Sequence, residues 1–211
     1  MNSFKKYLSY IFEFPIEKKY SDINGNLELS YHKGAYKLST DNAIYSWGKY
    51  YDSFGTAFSQ LNLYHSEINR ALILGYGLGS IADLLDAHTD VREIVGVEID
   101  PLVLDLAYRY QQVPSRELIC MSAIDYIQQC NKCFDLICID IFIDDKVPAT
   151  VMQQDFLSLV VKRLNMNGWI IYSQLTQNKL GNTLVQQLFE NYSLTKIIYS
   201  EGNTLYCLKK Q

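Results

Sequence analysis

The chain has few of the residues that build metal centres. Three histidines and five cysteines occur in 211 residues, with four prolines and two tryptophans. His32, His65 and His88 stand at no spacing that suits zinc, and only Cys130 and Cys133 form a Cys-x-x-Cys pair. A zinc site needs a second ligand pair, so no metal is expected. The odd cysteine count, mostly in apolar strand-like runs, argues against a disulfide framework and for reduced thiols in the cytoplasm. No run of 18 apolar residues and no run of basic residues is present. The first absence leaves no membrane-spanning helix to expect, and the second removes the electrostatic footprint of a nucleic-acid binder. The amino-terminal stretch holds Lys5, Lys6 and Glu13 within its only apolar segment, with no small-residue cleavage site after it, and is not read as a signal peptide. Nineteen basic against 23 acidic residues give a net charge of −4. A small molecule or cationic ligand is the default partner for such a surface.

Hydrophobic residues make up 48% of the chain, enough for a sizeable core in one ordinary α/β domain plus a short appendage. The chain divides by texture into residues 1–46 and 47–211. The first part starts with a short amphipathic helix stopped by Pro15 and continues as alternating stretches, 26–32 and 35–39, set off by the turn signals Asn24-Gly25 and Lys33-Gly34. It reads as a small antiparallel β unit. Residues 47–66 are expected to form one helix leading into the second part.

From residue 70, apolar runs (71–74, 94–97, 118–121, 136–141, 169–173, 194–199, 205–208) alternate with helical stretches (81–86, 102–110, 124–129, 150–164, 179–190). That alternation predicts βαβ units and a doubly wound, Rossmann-like α/β sheet of seven mostly parallel strands. Too few residues separate the last two strands for a crossover, so they form an antiparallel pair.

The chemistry gathers at three strand ends. Leu72-Ile-Leu-Gly75-Tyr76-Gly77-Leu-Gly79-Ser80 leaves an apolar strand and opens a helix, which suits a loop whose backbone closes on a ligand. The next strand ends in Val97-Glu98-Ile99-Asp100-Pro101. An acidic residue there can accept both hydroxyls of a ribose, which makes Glu98 the ribose ligand with Ile99 beside it. Asp100 reads either as a second ligand or as the cap of helix 102–110. Ser122 and Ala123, at the end of the third strand, are placed to meet an adenine edge, and Asp125 is read as a first-turn helix residue. The fourth strand, Phe134-Asp-Leu-Ile-Cys-Ile-Asp140, ends in an aspartate facing the glycine loop across the switch point of the sheet. Asp140 can take a proton from an amine or hydroxyl nucleophile, or cap the following turn.

In this order these motifs resemble the spermidine synthase (aminopropyltransferase) branch of the class I S-adenosylmethionine-dependent methyltransferase fold, from about Tyr50 to the C-terminus. The resemblance implies that Gly75, Gly77 and Gly79 meet the sulfonium side of the nucleoside, with Tyr76 among the cofactor contacts. It makes Glu98, Ile99, Ser122, Ala123 and Asp140 further cofactor contacts and Asp140 the catalytic aspartate. The implied cofactor is S-adenosylmethionine or its decarboxylated form, without a metal. Tyr51, Asp52 and Asp144 are the substrate candidates, for a small molecule of amine type. The sequence departs from the family at Leu78, where an amine-anchoring Asp is usual, at Ile143, near the place of a second acidic residue, and at Ser122, which replaces an Asp. A Tyr-His-Glu segment is reduced to Tyr51-Asp52, the first β unit is short, and Ile73 replaces the acidic residue of ordinary methyltransferases.

Three functions follow. The first is transfer of an alkyl group to a small-molecule nucleophile in the manner of spermidine synthase. The second is methyl transfer, and the third is a catalytically silent nucleoside-binding homologue, with Tyr76 or Leu78 filling the adenosyl site. The 17 tyrosines, several of them between Tyr31 and Tyr64, suit either a substrate cleft or a homodimer interface, and the aromatic enrichment of interfaces favours the second.

Overall fold

The computed structural model describes residues 3–110, 116–200 and 202–211. Two sheets organise it. The first has four antiparallel strands in the order β1 (Phe14–Ser21), β2 (Gly25–His32), β3 (Ala35–Ser39) and β4 (Ile44–Ser46), preceded by helix α1 (Ser3–Leu8). The second has seven strands in the order β10-β11-β9-β8-β5-β6-β7. Its parallel strands are β5 (Arg70–Leu74), β6 (Glu93–Glu98), β7 (Arg116–Cys120), β8 (Phe134–Ile139) and β9 (Leu164–Leu175). β11 (Asn203–Lys209) runs antiparallel between β9 and β10 (Leu194–Ser200), as the short connection requires, although Glu201 of that turn lies outside the described residues.

The parallel strands read as unbroken apolar runs because helices cover both faces. Alternate side chains separate cleanly. Ala71 and Ile73 of β5 pack with α2 (Ser53–Gln60), α3 (Ser80–His88) and α4 (Pro101–Tyr110), while Leu72 and Leu74 pack with α5 (Ala123–Gln129), α6 (Gln154–Lys162) and α7 (Lys179–Glu190). Leu27, Leu29 and Leu38 of the small sheet join the first of these cores.

Asp100 ties the sheets together. Its Oδ1 accepts from the Leu102 amide at 2.9 Å and so caps α4, while Oδ2 accepts from Asn24 Nδ2 at 2.7 Å and from the Ser21 hydroxyl, both at the β1–β2 turn. Of the two readings of this residue the cap is the one seen, with a clasp added. Ser46 and Ser80 share a hydrogen bond at 2.6 Å, and the Trp47 amide donates to Ser80 Oγ at 3.1 Å. Asp100→Ala removes a cap and strands Ser21 and Asn24, and is expected to lower stability by about 3 kcal/mol. An unchanged midpoint in urea unfolding would refute the clasp.

Three expectations are corrected. The first helix ends at Leu8, and Phe14-Pro15 opens strand β1, which the sequence pattern hid because Glu17, Lys18 and Lys19 crowd it. Charges and proline are what an edge strand carries. The helix expected over 47–66 is three pieces, parted at Tyr51, whose ψ of 75° is not helical, and at Asn62, whose φ is 57°. The helix expected over 150–164 begins only at Gln154, after an extended Gln153, and gives way to β9 at Leu164.

Candidate active site

At the end of β5 the chain turns through Gly75 at φ 86°, Gly77 at φ 56° and Gly79 at φ 88°. A Cβ on Gly75 would lie 2.2 Å from the carbonyl oxygen of Asp140, so no other residue lets the loop of the first parallel strand touch the end of the fourth. The Asp140 amide donates to Leu74 O at 2.8 Å, and the Gly75 and Tyr76 amides donate to Val97 O at 2.9 and 3.1 Å. Three strand ends are thereby fixed through main chain.

Tyr76, expected at the cofactor, turns its side chain under the loop instead. The ring lies against Gly96, and its hydroxyl accepts from Arg116 Nη1 at 2.9 Å. The Arg116 side chain, only 2% exposed, is held in turn by Asp83 at 2.9 Å and by Asp86. Leu78 is also packed in the core. Neither side chain fills the space in front of the glycines, which remains open as a cleft of about 190 Å³. Gly79 lies behind the walls, at the start of α3.

Gly75, Gly77, Glu98, Ile99, Ser122, Ala123 and Asp140 line this cleft. Glu98 Oε2 accepts from the Gly77 amide and Oε1 from the Asp100 amide, both at 3.1 Å. Burial pushes its carboxyl above the usual range, and these amides oppose that push. The half-shielded Ile99, with Val97, Met121 and Ile124, gives the cleft apolar sides. Ser122 donates to Asp125 at 2.6 Å and accepts from the Asp125 amide at 3.1 Å, capping α5. Its hydrogen is committed, so towards the cleft it can only accept. Asp125 is the first-turn residue expected. A carboxylate for two hydroxyls, a flat apolar slot and one acceptor for an exocyclic amine match the chemistry of an adenine nucleoside. For the rest of such a cofactor, Leu78 and Ile73 supply no charge.

Asp140 lines this cleft alone, while Tyr45, Tyr51 and Phe142 line both it and a second cavity of about 410 Å³. Tyr51 donates to Asp140 Oδ2 at 2.8 Å. Burial pushes the Asp140 carboxyl up to about 6, and the Tyr51 hydroxyl holds back part of that rise. The second cavity is faced by Trp47, Tyr50, Asp144, Asp145, Gln177 and Asn203. Asp144, in the left-handed region at φ 53°, accepts from Thr40 Oγ1 and Asn42 Nδ2, both at 2.6 Å, which holds its carboxyl below the usual range. Asp140 and Asp144 therefore converge on adjoining cavities, whereas Asp52 lines neither and stands at the start of α2. Tyr45, Tyr50 and Tyr51 are cavity walls, Tyr51 as expected of a substrate candidate. The sequence reading missed Tyr45, Phe142, Gln177 and Asn203. Of these only Phe142 carried a signal, since it follows Asp140 in the loop above the sheet.

The sequence profile of the spermine/spermidine synthase domain matches residues 60–200. A probable polyamine aminopropyl transferase of Bifidobacterium longum is 28% identical over 161 residues, which is 75% of this chain and 34% of the relative. A polyamine aminopropyltransferase of Thermococcus onnurineus is 30% identical over 117 residues, 52% of this chain and 41% of the relative. The chain thus spans half or less of the length of the curated relatives it matches. In fold it is similar to the spermidine synthase of Thermotoga maritima, with a TM-score of 0.74 at 18% identity over 94% of this chain and 73% of that one. It is also similar to human methyltransferase-like protein 13 in complex with SAH, with a TM-score of 0.60 at 22% identity over 71% of this chain and 74% of the other. Because the domain match runs from the end of α2 to the end of β10 and takes in every wall of the cleft except Tyr45 and Tyr51, the chain belongs to the spermine/spermidine synthase family.

Proposed function

We propose that the chain is a transferase that binds S-adenosylmethionine or its decarboxylated form and moves an alkyl group to a small-molecule amine. The carrying observation is Asp140 in the wall of the cleft, held by Tyr51, which lines both cavities. Such a cofactor supplies, when bound, a carbon activated by a sulfonium leaving group. What remains for the chain is alignment and proton removal. Glu98 accepts the ribose hydroxyls, Ser122 accepts from the adenine amino group, and the backbone of Gly75 and Gly77 faces the sulfonium side. Asp140 accepts the proton of the acceptor amine at Oδ2, the oxygen that Tyr51 holds, since Oδ1 is shielded. Residues 1–46 supply a wall of the acceptor cavity through Tyr45, and 47–211 the nucleoside cleft. The aminopropyl reading draws on the curated relatives, which are polyamine aminopropyltransferases. Methyl transfer is the second reading, favoured by Leu78, which offers no charge to an aminopropyl amine. The open cleft speaks against a silent homologue.

Calorimetric titration with S-adenosylmethionine, decarboxylated S-adenosylmethionine and methylthioadenosine tests the reading. Tighter binding of the decarboxylated ligand is the expected outcome for aminopropyl transfer, and tighter binding of the intact one for methyl transfer. A folded protein that binds none of the three overturns both.

A further inference from the structure

Among the described residues, no lysine, arginine or histidine lines either cavity. The chain therefore offers Asp140 no cation, and an ionised carboxylate in a buried site must be stabilised by hydrogen bonds. One comes from Tyr51 to Oδ2. The other oxygen, Oδ1, is shielded from solvent and has no hydrogen-bond partner among the described residues. Ser173 Oγ is in the same condition. The two belong side by side: β8 and β9 pair Cys138 with Ile171 and Ile139 with Tyr172, and the next step of that register sets Asp140 beside Ser173. Buried polar atoms are rarely left unmatched, and two of them at neighbouring register positions satisfy each other by rotation of one hydroxyl.

We propose that Ser173 is a positioning residue for Asp140: its hydroxyl donates to Oδ1 when the carboxyl is ionised and accepts from it when protonated. The donated bond carries a full charge and the accepted bond does not, so the ionised form gains more. Ser173 and Tyr51 together thus oppose the upward push of burial on this carboxyl. Ser173 faces neither cavity and is 1% exposed, so it acts through Asp140 and not on a ligand. The titratable groups around the carboxyl are Tyr51 before α2, Cys138 two residues back on β8, and Glu98 and Tyr45 across the cleft, with Asp144 and Asp145 in the adjoining cavity. Burial and the Asp140 charge push the Cys138 thiol well above its usual range, so it stays neutral and does not replace the serine.

The assignment rests on Asp140 being the proton acceptor proposed above, but its test needs no ligand. Carboxyl 13C resonances of the full chain are followed against pH, with Asp140→Asn to identify the signal that is lost. In Ser173→Ala the Asp140 midpoint is expected to rise by about one pH unit, a tenfold gain in proton affinity, as loss of one charged hydrogen bond predicts. Ser173→Cys, close in size and a weak donor, is expected to move it part of the way, and Ser173→Thr to restore it. An unmoved midpoint in the Ala and Cys variants overturns the proposal, as does an equal rise in the Thr variant. Nucleoside binding is read separately by calorimetry, so a failure of the transferase reading leaves this result standing on its own.

Discussion

Replacing Glu98 with alanine is expected to weaken methylthioadenosine binding by roughly 100-fold or more. A carboxylate that accepts two ribose hydroxyls makes two charge-assisted hydrogen bonds, each about 1.5–3 kcal/mol, and about 1.4 kcal/mol is a factor of ten in affinity. The substitution also releases the Gly77 and Asp100 amides that Glu98 now accepts from, loosening the loop against the second parallel strand. Calorimetry on the variant measures the loss directly. An affinity within about threefold of the unaltered chain would remove Glu98 from the nucleoside site.

Asp140→Asn has two expected effects of opposite sign. Transfer falls by roughly 10²–10⁴-fold, the contribution of a positioned general base, while nucleoside affinity stays close to that of the parent. Stability rises. The Asp140 carboxyl stands at about 6 in the folded chain against an ordinary value of 3.8, so the folded state binds this proton more tightly than the unfolded one. The penalty for ionising it is absent below the lower value, grows between the two and is complete above about pH 6, where it reaches about 3 kcal/mol. The amide carries no such penalty. Urea unfolding is therefore expected to show the variant more stable at pH 8 and level with the parent near pH 4. The same titration makes transfer by the unaltered chain fall as pH drops through about 6. A variant that keeps its turnover, or one that is less stable at pH 8, contradicts the role given to this residue.

The large sheet was readable because its central strands are buried on both faces and its helices are amphipathic, so two periods alternate from residue 70. Glu98 and Asp140 were readable as walls of the cleft for a related reason: a carboxylate that ends an apolar strand lies at the carboxyl edge of the sheet, where ligands bind. What escaped notice lies where tertiary context overrides local pattern. β1 looks polar because it is an edge, and its partners fix it from one side only. Tyr76 sits between two glycines that face the cleft, yet the φ values of the turn aim its side chain at Gly96 and Arg116 instead. The second cavity joins Tyr45, Phe142, Gln177 and Asn203 from four separate stretches of chain, which no spacing rule connects.

The contact between Gly75 and the carbonyl of Asp140 bears on how such a site can discriminate. Side chains that close on a ligand can adapt to its shape, but here the loop facing the nucleoside and the strand end carrying the acid meet backbone to backbone, with no room for a single methyl group. The distance between the two halves of the reaction is thus set when the chain folds, before any ligand arrives. On the proposed reading such a site would work as a template and not as a jaw: an acceptor of the wrong length would be refused because its nitrogen would fall short of, or overrun, a point that cannot shift to meet it.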